Sequence, residues 1–146
     1  MDDVAFLDAN ILVYAANKDS PYHANAKGVI KRVNSGEIQA CLSSQVLAEF
    51  YATATNPKKI GQPLRPEEAA EAVKGYLESD IPKLYPKEST LRLTLELAKR
   101  YQVRGLDYFN AQIVATMLEN RVRTIYTANE EDFERFEEIE AVNPLR

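Results

Sequence analysis

The sequence predicts an α/β fold, a three-layer α/β/α sandwich around a mainly parallel central sheet. Three observations predict it: short apolar runs of strand length recur along the chain, amphipathic helical stretches stand between them, and an acid or amide closes several of the runs. Strands that alternate with helices pair in parallel, because each return to the sheet then uses a helix as its crossover. At 146 residues the chain is expected to form one domain, residues 1–146, burying about two-thirds of its unfolded surface.

The first run, Val4 to Leu7, has the bulk of a strand covered on both faces and stops at Asp8. In an open parallel sheet the ligand lies beyond the carboxyl ends of the strands, so Asp8 is expected to point into a crevice. Asn10 is expected to cap the helix that follows, Ile11 to Ala16, and to brace Asp8 with its amide. Ser20-Pro21 reads as the next helix start, with an inward stripe of Ala26, Ile30 and Val33 ending at Asn34-Ser35-Gly36. Ile38 to Leu42 is a second strand. Ser43-Ser44 then caps a helix from Gln45 to about Thr55, with Leu47, Phe50, Tyr51 and Ala54 as its core face and Glu49 at the edge of that face.

Asn56 to Pro63, rich in Pro, Gly and Lys, is the clearest loop and a candidate mobile arm. Pro66 restarts a helix with Ala69, Ala70, Val73, Tyr76 and Leu77 inward, and Ile81 to Tyr85 is a short strand despite Pro82. Ser89 or Thr90 caps the next helix, which places Leu91, Leu95, Ala98 and Tyr101 on one side. Gly105 lies in a short connection, and Leu106-Asp107 introduces the helix Tyr108 to Asn120 with a stripe of Ala111, Val114, Ala115 and Leu118. Thr124 to Thr127 is a late strand, Ala128 to Phe133 a loop with one helical turn, and Ile139 to Val142 a final edge strand.

Composition narrows the chemistry. With 45% hydrophobic and 27% charged residues, and no apolar run near the ~20 residues of a membrane helix, the chain reads as soluble. Its acidic opening, Met1-Asp2-Asp3, is unlike a secretory signal, so a cytoplasmic location is expected. Cys41 is the sole cysteine, excluding an internal disulfide and a thiolate zinc site, and it reads as a small core residue. His23 is the sole histidine, so mechanisms that use two histidines as acid and base are excluded. The net charge of −4 argues against nucleic-acid binding by bulk electrostatics. Converging carboxylates can still hold a divalent cation, which in turn attracts phosphate.

Four acid or amide clusters stand at strand ends or helix starts: Asp8 with Asn10, Glu49, Asp107 with Asn110, and Asn129 with Asp132. Singly, each has an ordinary structural explanation: Asp107 as a helix cap, Asn129 as a turn residue, Asp132 as a first-turn acid. Their recurrence at equivalent places points to one shared site.

Along nearly its whole length the sequence resembles a PIN domain of the VapC toxin type, the ribonuclease half of a bacterial or archaeal toxin–antitoxin pair. The likeness runs through FLDANILVYA at Phe6 to Ala15, LSSQVLAEFY at Leu42 to Tyr51, FNAQIVATML at Phe109 to Leu118 and IYTANEEDFERF at Ile125 to Phe136. It implies a ribonuclease acting on single-stranded or looped RNA, with one or two Mg²⁺ or Mn²⁺ ions among Asp8, Glu49, Asn129 and Asp132. It also implies an antitoxin partner and a homodimer, for which Phe50, Tyr51, Ile60 and Leu64 are candidate contacts.

One position departs from the family pattern. The third acid of the family usually precedes the small residue that is Ala111 here, and Asn110 occupies that place. An asparagine offers a cation its carbonyl oxygen but brings no charge and cannot act as a base. Asp107, one turn earlier, is the other candidate for the role. The chemistry that fits is metal-assisted phosphodiester hydrolysis, with Asp8 and Asp132 as ligands, Glu49 as a ligand or water-orienting base, and Thr127 binding a phosphate or a ligand carboxylate. Lys58, Lys59, Arg65, Arg100, Arg104, Arg121 and Arg123 are the cations available to the RNA backbone. Two alternatives stand beside this reading. A haloacid dehalogenase-type phosphatase would need a second Asp where Asn10 stands; a PIN-like domain impaired by Asn110 would act by binding RNA or protein.

Overall fold

A computed structural model describes residues 4–146; the acidic opening, Met1 to Asp3, lies outside the described residues. Five short strands, β1 (Ala5–Leu7), β2 (Ala40–Ser43), β3 (Lys83–Leu84), β4 (Thr124–Tyr126) and β5 (Glu140–Val142), form a sheet in the order β3-β2-β1-β4-β5. Every pairing is parallel, with Phe6 beside Cys41 on one flank and Ile125 on the other. The central strand β1 is wholly buried, as expected of a strand covered on both faces.

Six helices cover the sheet: α1 (Ala9–Ala16), α2 (His23–Asn34), α3 (Ser44–Ala54), α4 (Pro66–Glu78), α5 (Glu88–Arg100) and α6 (Tyr108–Glu119). The chain steps from β1 through β2 to β3 in one direction, then crosses back to β4 and β5 in the other. Right-handed crossovers in opposite directions put their helices on opposite faces. The contacts agree: α1 packs on α2 and α3, α3 packs on α4, and α5 packs on α6. This reversal falls between β1 and β4, and beside the carboxyl ends at such a reversal open α/β sheets receive ligands.

The core joins Phe6 and Leu7 of β1, Leu12 of α1, Leu47 and Phe50 of α3, Leu97 of α5, and Ile113, Val114 and Met117 of α6. Cys41 is part of it, and burial pushes its thiol up to about 12, so it packs as an inert small side chain. No helix among the described residues is long and apolar enough to cross a membrane.

Several expectations are corrected. The cap of α1 is Asp8, whose carboxylate accepts the Ala9 N–H at 2.7 Å; Asn10 lies inside the first turn, free to reach elsewhere. Ser20 holds a turn by accepting the Tyr22 N–H, and α2 begins only at His23. The second strand starts two residues later than Ile38. The loop after α3 is pinned rather than a free arm, because Ile60 is buried and Leu64 N–H donates to the Ala54 carbonyl at 2.8 Å. Tyr51, Ala70 and Leu77 face outward, so the inward side of α4 is Ala69 with half-buried Val73 and Tyr76. On α5 the buried residues are Thr90, Thr94 and Leu97, whereas Leu91 and Leu95 are exposed. Thr90 is not the cap: it sits in the first turn, its hydroxyl accepting the Lys87 N–H at 2.9 Å. Gly36 and Gly105 both have the positive φ for which glycine is suited, at the end of α2 and in the turn before α6.

Candidate active site

Asp8 stands at the carboxyl end of β1, 8% exposed, anchored by its own backbone N–H to the Tyr126 carbonyl at 3.0 Å. One carboxylate oxygen accepts the Ala9 N–H; the other accepts the Thr127 hydroxyl at 2.9 Å. Thr127, fully buried just beyond β4, is the hub of this junction. Its hydroxyl also accepts the Asn10 amide at 3.2 Å and the Asn129 N–H at 3.0 Å, while the Asn10 side-chain oxygen accepts the Ala128 N–H at 3.1 Å. Asn10 therefore braces Asp8 through Thr127, joining the chain after β1 to the chain after β4. These bonds favour ionised Asp8, yet burial outweighs them, and with the nearby charge of Asp132 it holds the carboxyl above its ordinary range.

Glu49 projects from α3, whose start is fixed by Ser43 capping the Val46 N–H at 3.2 Å. It is half-buried; burial, with the charge of Asp8, raises its carboxyl too, against a hydrogen bond from Gln45. Asp132 enters from the 3₁₀ turn Glu130–Phe133, which Phe133 anchors in the core, and its N–H donates to the Asn129 carbonyl at 3.1 Å. Asp132 is exposed at the rim, yet partial burial of its carboxyl and the charges of Asp107 and Glu131 push it upward as well. Asn129 is exposed and orders this turn through its backbone.

Asp107 stands at the N-cap position of α6 without a side-chain cap bond. It closes a 3₁₀ turn, Gly105–Asp107, and faces Arg135 at 3.7 Å. Asn110 is half-buried in the first turn of α6. Two residues that sequence reasoning missed join this turn to α3. The Gln45 amide donates to Glu49 at 2.9 Å and to the Phe109 carbonyl at 3.0 Å, and its oxygen accepts the Gln112 amide at 2.8 Å. The signal for Gln45 was its spacing: four residues ahead of Glu49, it shares that face of the helix.

Asp8 thus lies within electrostatic reach of both Glu49 and Asp132, and among the described residues none of the three is in a salt bridge. Among the described residues no three acidic, histidine or cysteine side chains are drawn together into a ready-made metal cage. The carboxylate oxygens of Asp8, Glu49 and Asp132 are nonetheless hard donors of the kind that suits a divalent cation. Of the expected RNA-tracking cations, Arg65 pairs with Glu67 and Glu68, Arg100 with Glu138, and Arg123 donates to the Glu138 carbonyl. Of the proposed dimer contacts, Phe50 and Ile60 belong to the core; Tyr51 alone is exposed.

The chain is 29% identical over 140 residues to VapC ribonuclease Mb2897 of Mycobacterium bovis, covering 95% of this chain and 94% of that one. It is 27% identical over 139 residues to ribonuclease VapC48 of Mycobacterium tuberculosis, covering 94% and 95%. Its fold is similar to that of Mycobacterium tuberculosis VapC20, a sarcin-ricin loop cleaving toxin, with a TM-score of 0.69 at 16% identity over 91% of this chain and 95% of that one. VapBC2 of Rickettsia felis, bound to a DNA fragment from its promoter, gives 0.67 at 19% identity over 96% and 98%. The family profile described as PIN domain matches residues 5–139, from the first strand to the edge of the last. The chain belongs to the PIN domain family.

Proposed function

We propose that this protein is a divalent-cation-dependent endoribonuclease, the toxin of a toxin–antitoxin pair, with Asp8, Glu49, Asn110 and Asp132 as its working residues. The observation that supports the reading is the set of three carboxylates, Asp8, Glu49 and Asp132, that among the described residues have no cationic partner. Such a set is costly unless a cation or protons neutralise it. Its curated relatives are named ribonucleases, which favours this reading over a domain that only binds RNA or protein.

Asp8, Glu49, Asn110 and Asp132 would hold Mg²⁺ or Mn²⁺, with Asn129 and Asp107 at the margin. The cation supplies charge for the phosphoryl oxygens and acidifies a water at neutral pH. Thr127 and Asn10 hold Asp8 in one orientation. Glu49 orients the attacking water or takes its proton. Asn110 offers a neutral oxygen and no base. An antitoxin partner belongs to the same reading, since solved structures of similar fold include toxin–antitoxin complexes such as one from Klebsiella pneumoniae.

Purified protein should cleave single-stranded RNA in millimolar Mn²⁺ or Mg²⁺ and stop when a chelator is added. Undiminished cleavage in chelator would overturn the cation dependence, and no cleavage under any metal would favour the binding-only alternative. A homodimer is also proposed, through exposed surfaces rather than the buried Phe50 and Ile60. Light scattering at tens of micromolar should give twice the 16.5 kDa chain mass; the monomer mass would refute it.

A further inference from the structure

We propose that Gln45 and Gln112 are a positioning pair that fixes Glu49 against the first turn of α6, and so sets the span across which Glu49 and Asn110 hold a cation. The proposal rests on the ribonuclease reading of the site. A half-buried glutamate has three side-chain torsions to order, and water alone would leave it mobile. Gln45 removes that freedom from one turn earlier on the same helix, donating to one Glu49 oxygen and engaging the Phe109 carbonyl of α6 with the same amide nitrogen. Its own oxygen accepts the Gln112 amide, so α6 grips it at two points, on either side of Asn110.

The orientation of the Gln45 amide is decided by these partners. Its nitrogen meets a carboxylate and a carbonyl, both acceptors, and its oxygen meets a donor; the reversed amide would set oxygen against two acceptors. The neutrality of the pair suits the site. A lysine or arginine holding Glu49 would neutralise it and compete with the cation, whereas glutamine holds it and leaves its charge available. The second Glu49 oxygen accepts no hydrogen bond among the described residues, which leaves it open to a ligand.

The test compares wild type, Gln45→Ala, Gln112→Ala and the double variant, reading Mn²⁺ affinity by calorimetry alongside kcat and KM on single-stranded RNA. Gln45→Ala should weaken Mn²⁺ binding and lower kcat by roughly 10-fold or more, the scale seen when the residues orienting a metal ligand are lost. KM should change little, because neither glutamine need touch RNA. Gln112→Ala should give a smaller loss of the same kind, and the double variant should be no worse than Gln45→Ala, since Gln112 acts through Gln45. Gln45→Lys, which keeps a donor but adds a charge, should weaken Mn²⁺ binding despite a melting temperature near wild type. Unchanged Mn²⁺ affinity and kcat in Gln45→Ala, or additive losses in the double variant, would overturn the pair. Wild-type protein that neither binds Mn²⁺ nor cleaves RNA would instead overturn the ribonuclease reading, and the pair's role with it.

Discussion

Asp8, Glu49 and Asp132 all have carboxyls raised above the ordinary 3.8 of aspartate or 4.5 of glutamate, with burial as the leading cause. The native state therefore binds these protons more tightly than the unfolded chain. Their contribution to stability is full below the ordinary values and is lost as pH rises through the raised ones. Without divalent cation, denaturant midpoints should fall as pH rises from about 4 through that window, and the fall should shrink both in Asp8→Asn and when Mn²⁺ replaces the protons. An Asp8→Asn profile that matches wild type would contradict this. Of the two sequence candidates, Asp107 is exposed and faces Arg135, yet its charge raises the Asp132 carboxyl, whereas Asn110 is half-buried in the helix turn that Gln45 joins to α3. Asn110→Asp should strengthen Mn²⁺ binding and raise RNA cleavage, on the order of 10²-fold if a ligand charge is restored, while Asp107→Asn should change little. The opposite pattern would move the third ligand to Asp107. Asp8 and Thr127 were legible because each follows a readable strand, and Glu49 because it sits at the edge of a readable helix face. The Gln45–Gln112 bond joins residues 67 apart in sequence, and no local pattern announces it.

At the scale of elements, most helices and strands could be read because their ends carry strong signals, such as Ser43 for α3 and Pro66 for α4. Faces were harder. On α5 the hydrophobic pattern favoured Leu91 and Leu95, yet the helix buries Thr90 and Thr94, with the Thr94 hydroxyl donating to the Thr90 carbonyl at 2.7 Å. A threonine that satisfies its hydroxyl within its own helix presents mainly its methyl to the core, and apolar periodicity does not count it. The reassigned face predicts unequal losses. Leu97→Ala, in the core, should cost about 2–5 kcal/mol, whereas Leu95→Ala on the exposed side should cost within about 0.5 kcal/mol plus or minus. Equal shifts in urea midpoint for the two variants would contradict the assignment.

Across the whole molecule, a sheet of order β3-β2-β1-β4-β5 places the reversal of chain direction between β1 and β4, and the two residues that meet there are Asp8 and Thr127. The alternation of strands and helices made the layers and the parallel pairing legible, and the acid at the end of the first strand marked the junction of β1 with β4. The strand order and the encounter of Gln45 with α6 depend on the long crossover from β3 to β4, which local patterns do not encode. A chain of net charge −4 gains little from bulk attraction to RNA, so in the proposed function productive RNA binding depends on a cation held by Asp8 and its neighbours. Cleavage of end-labelled single-stranded RNA by wild type and Asp8→Asn, measured side by side as Mn²⁺ is titrated, tests that claim most directly. Wild-type cleavage should rise with Mn²⁺ and saturate, and the Asp8→Asn rate should be lower by about 10²-fold or more at every concentration. Equal rates for the two proteins would contradict it.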